Sequence, residues 1–181
     1  MAGELNPSYQ SVWRKDSFVV STNRALIPVS TLNDWFASDH VYWTNALPER
    51  VLQEALDNSL CFGLYDLGDE CDSFIDSPTD KIDAARFIGF ARCVTDYSTL
   101  FFLTDVHVVP AYQGKGLGRW LVSCVQEVID SAHNLRRSLL LTSDWERSVP
   151  FYEDIMGMTV LESTKEKKGP GLAFLHRPGK K

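Results

Sequence analysis

Residues 101 to 134 constrain the fold more than any other stretch, because they read in one pass as a strand, a glycine turn and an amphipathic helix. Phe101-Phe-Leu-Thr-Asp-Val-His-Val-Val109 is aromatic and β-branched, and Pro110 closes it. Gln113-Gly-Lys-Gly-Leu-Gly-Arg119 then sets three glycines on alternate residues, where backbone can approach a ligand with no Cβ in the way. From Leu117 the apolar residues Leu117, Leu121, Cys124, Val125, Val128 and Ile129 recur at helical spacing. The turn therefore falls at a helix N-terminus, where unpaired amides and the positive dipole end favour an anion. Lys115 and Arg119 add charge, so the stretch is expected to bind a phosphorylated ligand.

Several glycine turns bind phosphate, and two are excluded by spacing. The dinucleotide fingerprint G-x-G-x-x-G fails because the third glycine comes one residue early, and the nucleotide P-loop fails because Gly116, not Ser or Thr, follows Lys115. The pattern Q/R-x-x-G-x-G/A after a strand ending in V-x-P is met by Val108-Val109-Pro110 and by Gln113, Gly116 and Gly118. Here the chain resembles the GNAT superfamily of N-acetyltransferases at its acetyl-CoA pyrophosphate loop. A looser match lies at Pro150-Phe-Tyr-Glu153 with Gly157-Met158, which is similar to the family's A-x-x-x-Y-x-x-x-G-F pattern with Ser148 at the alanine. Tyr152 then falls on the tyrosine that in many members protonates the departing thiolate. The asparagine usual seven residues earlier is Trp145 here.

The resemblance implies a single-domain α/β (α+β) fold, with a mixed, mostly antiparallel sheet of six to seven strands and about four helices, the sheet splayed where acetyl-CoA enters. It implies that Gln113, Gly114, Lys115, Gly116, Leu117, Gly118 and Arg119 hold the pyrophosphate. Main-chain groups of Val106, His107 and Val108 would bond the pantetheine arm. Tyr42 and Trp43, in a loop rich in aromatics, either contact the acceptor or cap the core from outside. Asp105 and His107 alternate with Val106 and Val108 and so share a face of the strand, where either could take the amine's proton or serve structure alone. Asp105 and Tyr152 are the catalytic candidates. The implied activity is direct acetyl transfer from acetyl-CoA to a primary amine, a small molecule before a peptide. The alternative is a non-catalytic acyl-CoA-binding sensor or partner module of the same fold.

Composition narrows the remaining classes. At 181 residues, 44% hydrophobic and 23% charged, the chain suits one globular domain. A net charge of -6 argues against a nucleic-acid surface and suits a cationic amine. No apolar run is long enough to cross a membrane, and the start shows no leader or signal core, so a cytoplasmic protein is expected. Cys61, Cys71, Cys93 and Cys124 have no C-x-x-C spacing and read as buried thiols, with no metal site. Monomer and dimer both remain open.

In chain order, residues 1–16 read as an N-terminal extension, 17–177 as the acetyltransferase domain and 178–181 as a tail. Residues 66–85, with seven acids, interrupt the domain as a solvated insertion. Strands are expected at 17–22, 60–65, 87–94 and 101–109, and helices at 30–38 and 49–58, the second with Val51, Leu52, Ala55 and Leu56 toward the core. Residues 138–142 read as a strand buried on both faces and parallel to 101–109. A hairpin of 158–162 with 172–176 ends the chain.

Overall fold

The computed structural model describes residue 9 and residues 11–68, 85–161 and 173–178. Short β-branched and aromatic runs form an antiparallel meander of β1 (Val12–Lys15), β2 (Phe18–Ser21), β3 (Leu60–Asp66), β4 (Arg86–Thr95) and β5 (Leu100–Val108). After it come β6 (Arg137–Thr142), β7 (Thr159–Val160) and β8 (Ala173–Pro178), and the sheet runs β1-β2-β3-β4-β5-β6-β8-β7. Only the β5–β6 pair is parallel among the described strands. The mixed, mostly antiparallel architecture read from the sequence is thus the architecture found. Two small strands enlarge the sheet to eight: β1 falls in the segment read as an extension, and β7 is two residues long.

Among the described residues four α-helices cover the sheet: α1 (Val29–Phe36), α2 (Glu49–Asp57), α3 (Leu117–Ser131) and α4 (Ser148–Met156). Proline stands at the N-cap of both α1 and α2, and four-residue spacing buries Leu32 with Phe36 and Leu52 with Leu56. Val51, expected in the core, is 37% exposed, since it lies one position off that stripe. Alternation along β3, and along β4 with a bulge at Ile88, where Gly89 pairs with Leu64 and Phe87 with Tyr65, then separates two cores. Phe62, Leu64, Ile88 and Cys93 pack with α3 and α4, while Cys61 and Phe90 pack with α1 and α2 on the opposite face. Asp96 pins the turn into β5, its carboxylate accepting from the amides of Ser98, Thr99 and Leu100 at 2.7–3.0 Å. Those bonds, led by the one from the Thr99 hydroxyl, hold the carboxyl well below the usual range.

Among the features expected from sequence, residues 69–84 of the acidic insertion at 66–85, Cys71 and the loop joining the last hairpin lie outside the described residues. Cys61, Cys93 and Cys124 are buried free thiols, and burial pushes Cys61 and Cys124 up to about 12 and Cys93 higher still.

Gly89 marks a close approach of backbone beside the functional end of the sheet. A Cβ there would stand 3.0 Å from His107 O and 3.0 Å from Leu64 Cδ2. Gly89→Ala is therefore expected to cost about 1–3 kcal/mol by overpacking, read as a lower urea midpoint at unchanged m-value. A midpoint equal to wild type would show that β4 and β5 can move apart freely here.

Candidate active site

The parallel ladder between β5 and β6 is short. It joins Leu100–Leu103 to Arg137–Leu140 and stops, although β5 runs on to Val108. Beyond Leu103 the edge of β5 that faces β6 has no strand partner among the described residues, so its amides and carbonyls border a gap. On its other edge β5 carries a bulge: Thr104 pairs with Arg92 and His107 with Phe90, so Asp105 and Val106 together oppose Ala91. Asp105 sits at φ 54°, a strained conformation for a residue with a Cβ.

The bulge changes which face each side chain serves. Phe101 and Leu103 belong to the core under α3, as do Val106 and Val108. Asp105 instead reaches Arg92 on the α1–α2 face, and His107 lies 5.4 Å from Trp35 and 6.2 Å from Trp43, ring centre to ring centre. Asp105 and His107 therefore share a face, as alternation suggests, but it is the face opposite Phe101 and Leu103. Without the bulge both would point into the α3 core.

The gap opens a cavity of about 330 Å³. Asp105, Val106, Tyr152, Tyr42 and Trp43, singled out from sequence on separate elements, all line it. So do Phe102, Thr104, Leu141, Thr142, Ser143 and Ser148, which sequence reasoning missed. Thr142 and Ser143 follow from β6 ending at the gap, and Ser148 was visible as the residue four before Tyr152. Leu141 corrects an expectation: β6 was read as buried on both faces, yet Leu141 is 44% exposed because no described helix covers that side of the strand. Trp145 packs against the α3-side core and does not line the cavity.

Each polar group at the cavity has a placement. Arg92 Nε donates to Asp105 Oδ2 at 2.7 Å and Arg92 Nη1 to Ser59 Oγ at 3.1 Å, while Thr104 Oγ1 lies 3.3 Å from Asp105 Oδ1. Tyr152 is held edge-on to Phe151, ring centres 5.0 Å apart. Burial, with a smaller contribution from Tyr42, pushes its phenol up, so it stays protonated throughout the neutral range. Asn33 acts as a clamp on the aromatic loop: its Oδ1 accepts from Leu47 N at 2.9 Å and its Nδ2 donates to Leu47 O at 2.8 Å. Within that loop Tyr42 and Trp43 meet edge to face at 5.2 Å.

The glycine turn forms the second half of the site. A 3-10 turn at Pro110–Tyr112 leads to Gly114 at φ 77° and Gly116 at φ 75°, and Gly116 starts α3 with no side-chain cap. A Cβ placed on either glycine would meet nothing within 4 Å, so the turn is open at both positions, at a helix end whose first amides lack intrahelical partners. Two contacts brace the turn. Gln113 Nε2 donates to Val108 O at 2.8 Å, and Tyr112 Oη donates to Asp66 Oδ2 at 2.7 Å. Gln113 is thus turned inward as a support. Lys115 Nζ lies 4.8 Å above the Tyr112 ring, and Arg119 pairs with Asp154 at 2.6 Å, which offsets part of the charge expected of it.

His107 supplies a pH-dependent contribution to stability. Burial, aided by the nearby His40, lowers it to about 4 from 6.5. A histidine depressed in the folded state binds fewer protons than in the unfolded chain, so the stability it permits is present above 6.5 and is lost as pH falls toward 4. The loss is on the order of 3 kcal/mol. His107→Gln is expected to flatten the fall in urea midpoint between pH 7 and 4.5; an unchanged slope would remove His107 as its source.

No described helix is long and apolar enough to cross a membrane. No group of three or more His, Cys, Asp or Glu among the described residues could hold a metal ion.

Comparison with known proteins agrees with this geometry. Residues 30–158 match the family model described as the acetyltransferase (GNAT) family. Over 176 residues the chain is 34% identical to a candidate acetyltransferase of Gibberella zeae, FG08082, covering 97% of this chain and 98% of that one. The crystal structure of a candidate GNAT acetyltransferase from Xanthomonas campestris pv. campestris aligns at TM-score 0.58 and 28% identity, over 85% of this chain and 94% of that one. The spermidine N-acetyltransferase of Vibrio cholerae, solved with CoA and spermine, aligns at TM-score 0.57 over 91% of this chain and 96% of that one. At 15% identity this last likeness concerns the fold alone.

Proposed function

The chain belongs to the acetyltransferase (GNAT) family, and from that premise we propose that it moves the acetyl group of acetyl-CoA directly onto a primary amine of a small molecule. The observation that carries this reading is one cavity where β5 and β6 part, which gathers Tyr152, Asp105 and the Tyr42–Trp43 pair from three separate places in the sequence. Acetyl-CoA would supply the activated thioester. The turn fits it, because two left-handed glycines stand in open space at a helix N-terminus with no side-chain cap, where the first amides lack intrahelical partners.

The remaining steps belong to this chain's own residues. Amides of Gly114 to Arg119 bind the diphosphate, and the free edge of β5 through Val106 and Val108 orients the arm as a neighbouring strand would; His107, expected from sequence to share this role, turns its main-chain groups toward Phe90 and Gly89 on β4. The Val108 amide lies at the end of that edge and can stabilise charge on the acyl oxygen. Tyr152 Oη donates a proton to the departing sulfur. Arg92 donates to Asp105 Oδ2 and the Thr104 hydroxyl to Oδ1, and the remaining lone pair of Oδ1 takes the amine's proton, directly or through water. Tyr42 and Trp43 contact the acceptor, and the V. cholerae enzyme crystallised with CoA and spermine is a precedent for a small amine on this fold.

Release of free CoA from acetyl-CoA, followed with a thiol reagent across a panel of amines, tests the reading. Amine-dependent release supports it. CoA binding without release under any amine would favour a sensor module instead.

A further inference from the structure

The acceptor side of the cavity is short of usable charge. Asp105 is the sole acid among the described residues that line it, no described Lys, Arg or His lines it, and Arg92 already stands 2.7 Å from the Asp105 carboxylate. A second ammonium on the substrate would enter without a counter-ion, and a substrate carboxylate would find no cation.

What the face offers is apolar. Tyr42 is 62% exposed, Trp43 42% and Leu141 44%, with Phe102 half-buried beside them. Phe102 is the register partner of Val94 on β4 and of Leu139 on β6, and Val94 is 43% exposed. The apolar surface therefore continues out of the cavity across three adjacent strands. Exposed apolar area on this scale, continuous with a cleft, is characteristic of a binding surface.

We propose that the acceptor is a monoamine carrying an aromatic or extended apolar body, with its nitrogen near Asp105 and its body laid against Tyr42, Trp43, Phe102 and Leu141. This rests on the transferase reading above. In the reaction the C–N bond forms as the thioester C–S bond breaks. The ammonium first loses a proton to solvent; the neutral amine then loses one toward Asp105 as it forms the amide, the sulfur takes one from Tyr152, and the proton on Asp105 returns through water to the Tyr152 phenolate, giving an amide, a free thiol and the starting enzyme. Tyr42 and Trp43 supply flat contact area already held in place, which favours planar groups over flexible polar chains.

The test is steady-state kinetics of the full chain at saturating acetyl-CoA with tryptamine, 2-phenylethylamine, octylamine, spermidine and a short polar peptide, with CoA affinity measured by calorimetry alongside. The apolar monoamines should exceed spermidine and the peptide in kcat/KM by about 100-fold or more. Trp43→Ala should lower kcat/KM for the aromatic amines about 10- to 100-fold with CoA affinity unchanged. Leu141→Glu, at an exposed site that tolerates charge, should shift the preference toward spermidine about 10-fold. Wild-type preference for spermidine or for the peptide overturns the substrate class and leaves the transferase reading intact. No turnover of any amine, with CoA still bound, overturns the transferase reading and this inference with it.

Discussion

Tyr152→Phe is expected to lower kcat about 100- to 1,000-fold while leaving the affinity for acetyl-CoA within about twofold of wild type. The phenol is buried at the cavity where β5 and β6 part, and burial keeps its proton on. Phenylalanine keeps the ring, its edge-on contact with Phe151 and the shape of the cavity, so only the donor is lost. A thiolate forced to leave unprotonated is the poorer leaving group, which places the penalty on kcat. Unchanged kcat would remove Tyr152 from the acid role; a loss confined to KM would make it a binding residue.

Gly116→Val is expected to weaken CoA binding by about 100-fold or more, to the limit of calorimetric detection. Two effects act together. Gly116 sits at φ 75°, where a β-branched residue costs roughly 1–3 kcal/mol, and its side chain would project into the open space at the turn that the diphosphate is proposed to fill. Because nothing of the protein lies within 4 Å of that Cβ, the chain itself is not overpacked, and the fold should survive with a modest fall in melting temperature. Retained affinity would separate the turn from diphosphate binding. An unfolded product would be answered by Gly116→Ala, which brings the smaller side chain to the same position.

The strand, turn and helix from Phe101 to Ser131 were legible because their signals are local: β-branched alternation, glycines at fixed offsets and helical spacing of Leu117, Leu121, Val125 and Val128. Tyr152 was legible through spacing alone. The bulge at Asp105 was not, since a bulge is a relation between two strands and nothing in Thr104-Asp105-Val106 fixes how Arg92 and Phe90 lie opposite. The exposure of Leu141 was hidden for a related reason. Ser138–Thr142 is a continuous apolar run, and whether its second face is covered depends on where helices distant in sequence come to rest. Gln113 illustrates a third limit, because a glutamine beside a phosphate loop reads as a ligand until its amide is seen bonded to Val108 O. β1 was missed because four residues of mixed polarity carry little pattern, although Trp13 anchors it through Nε1 to Glu127 on α3 at 2.9 Å.

The most direct measurement is a crystal structure of this chain with coenzyme A. The expected result is a diphosphate on the amides of Gly114 to Arg119, the arm along the free edge of Val106 to Val108, and the sulfur within hydrogen-bonding reach of Tyr152 Oη. Coenzyme A bound elsewhere, with the glycine turn and the gap between β5 and β6 both empty, would contradict it.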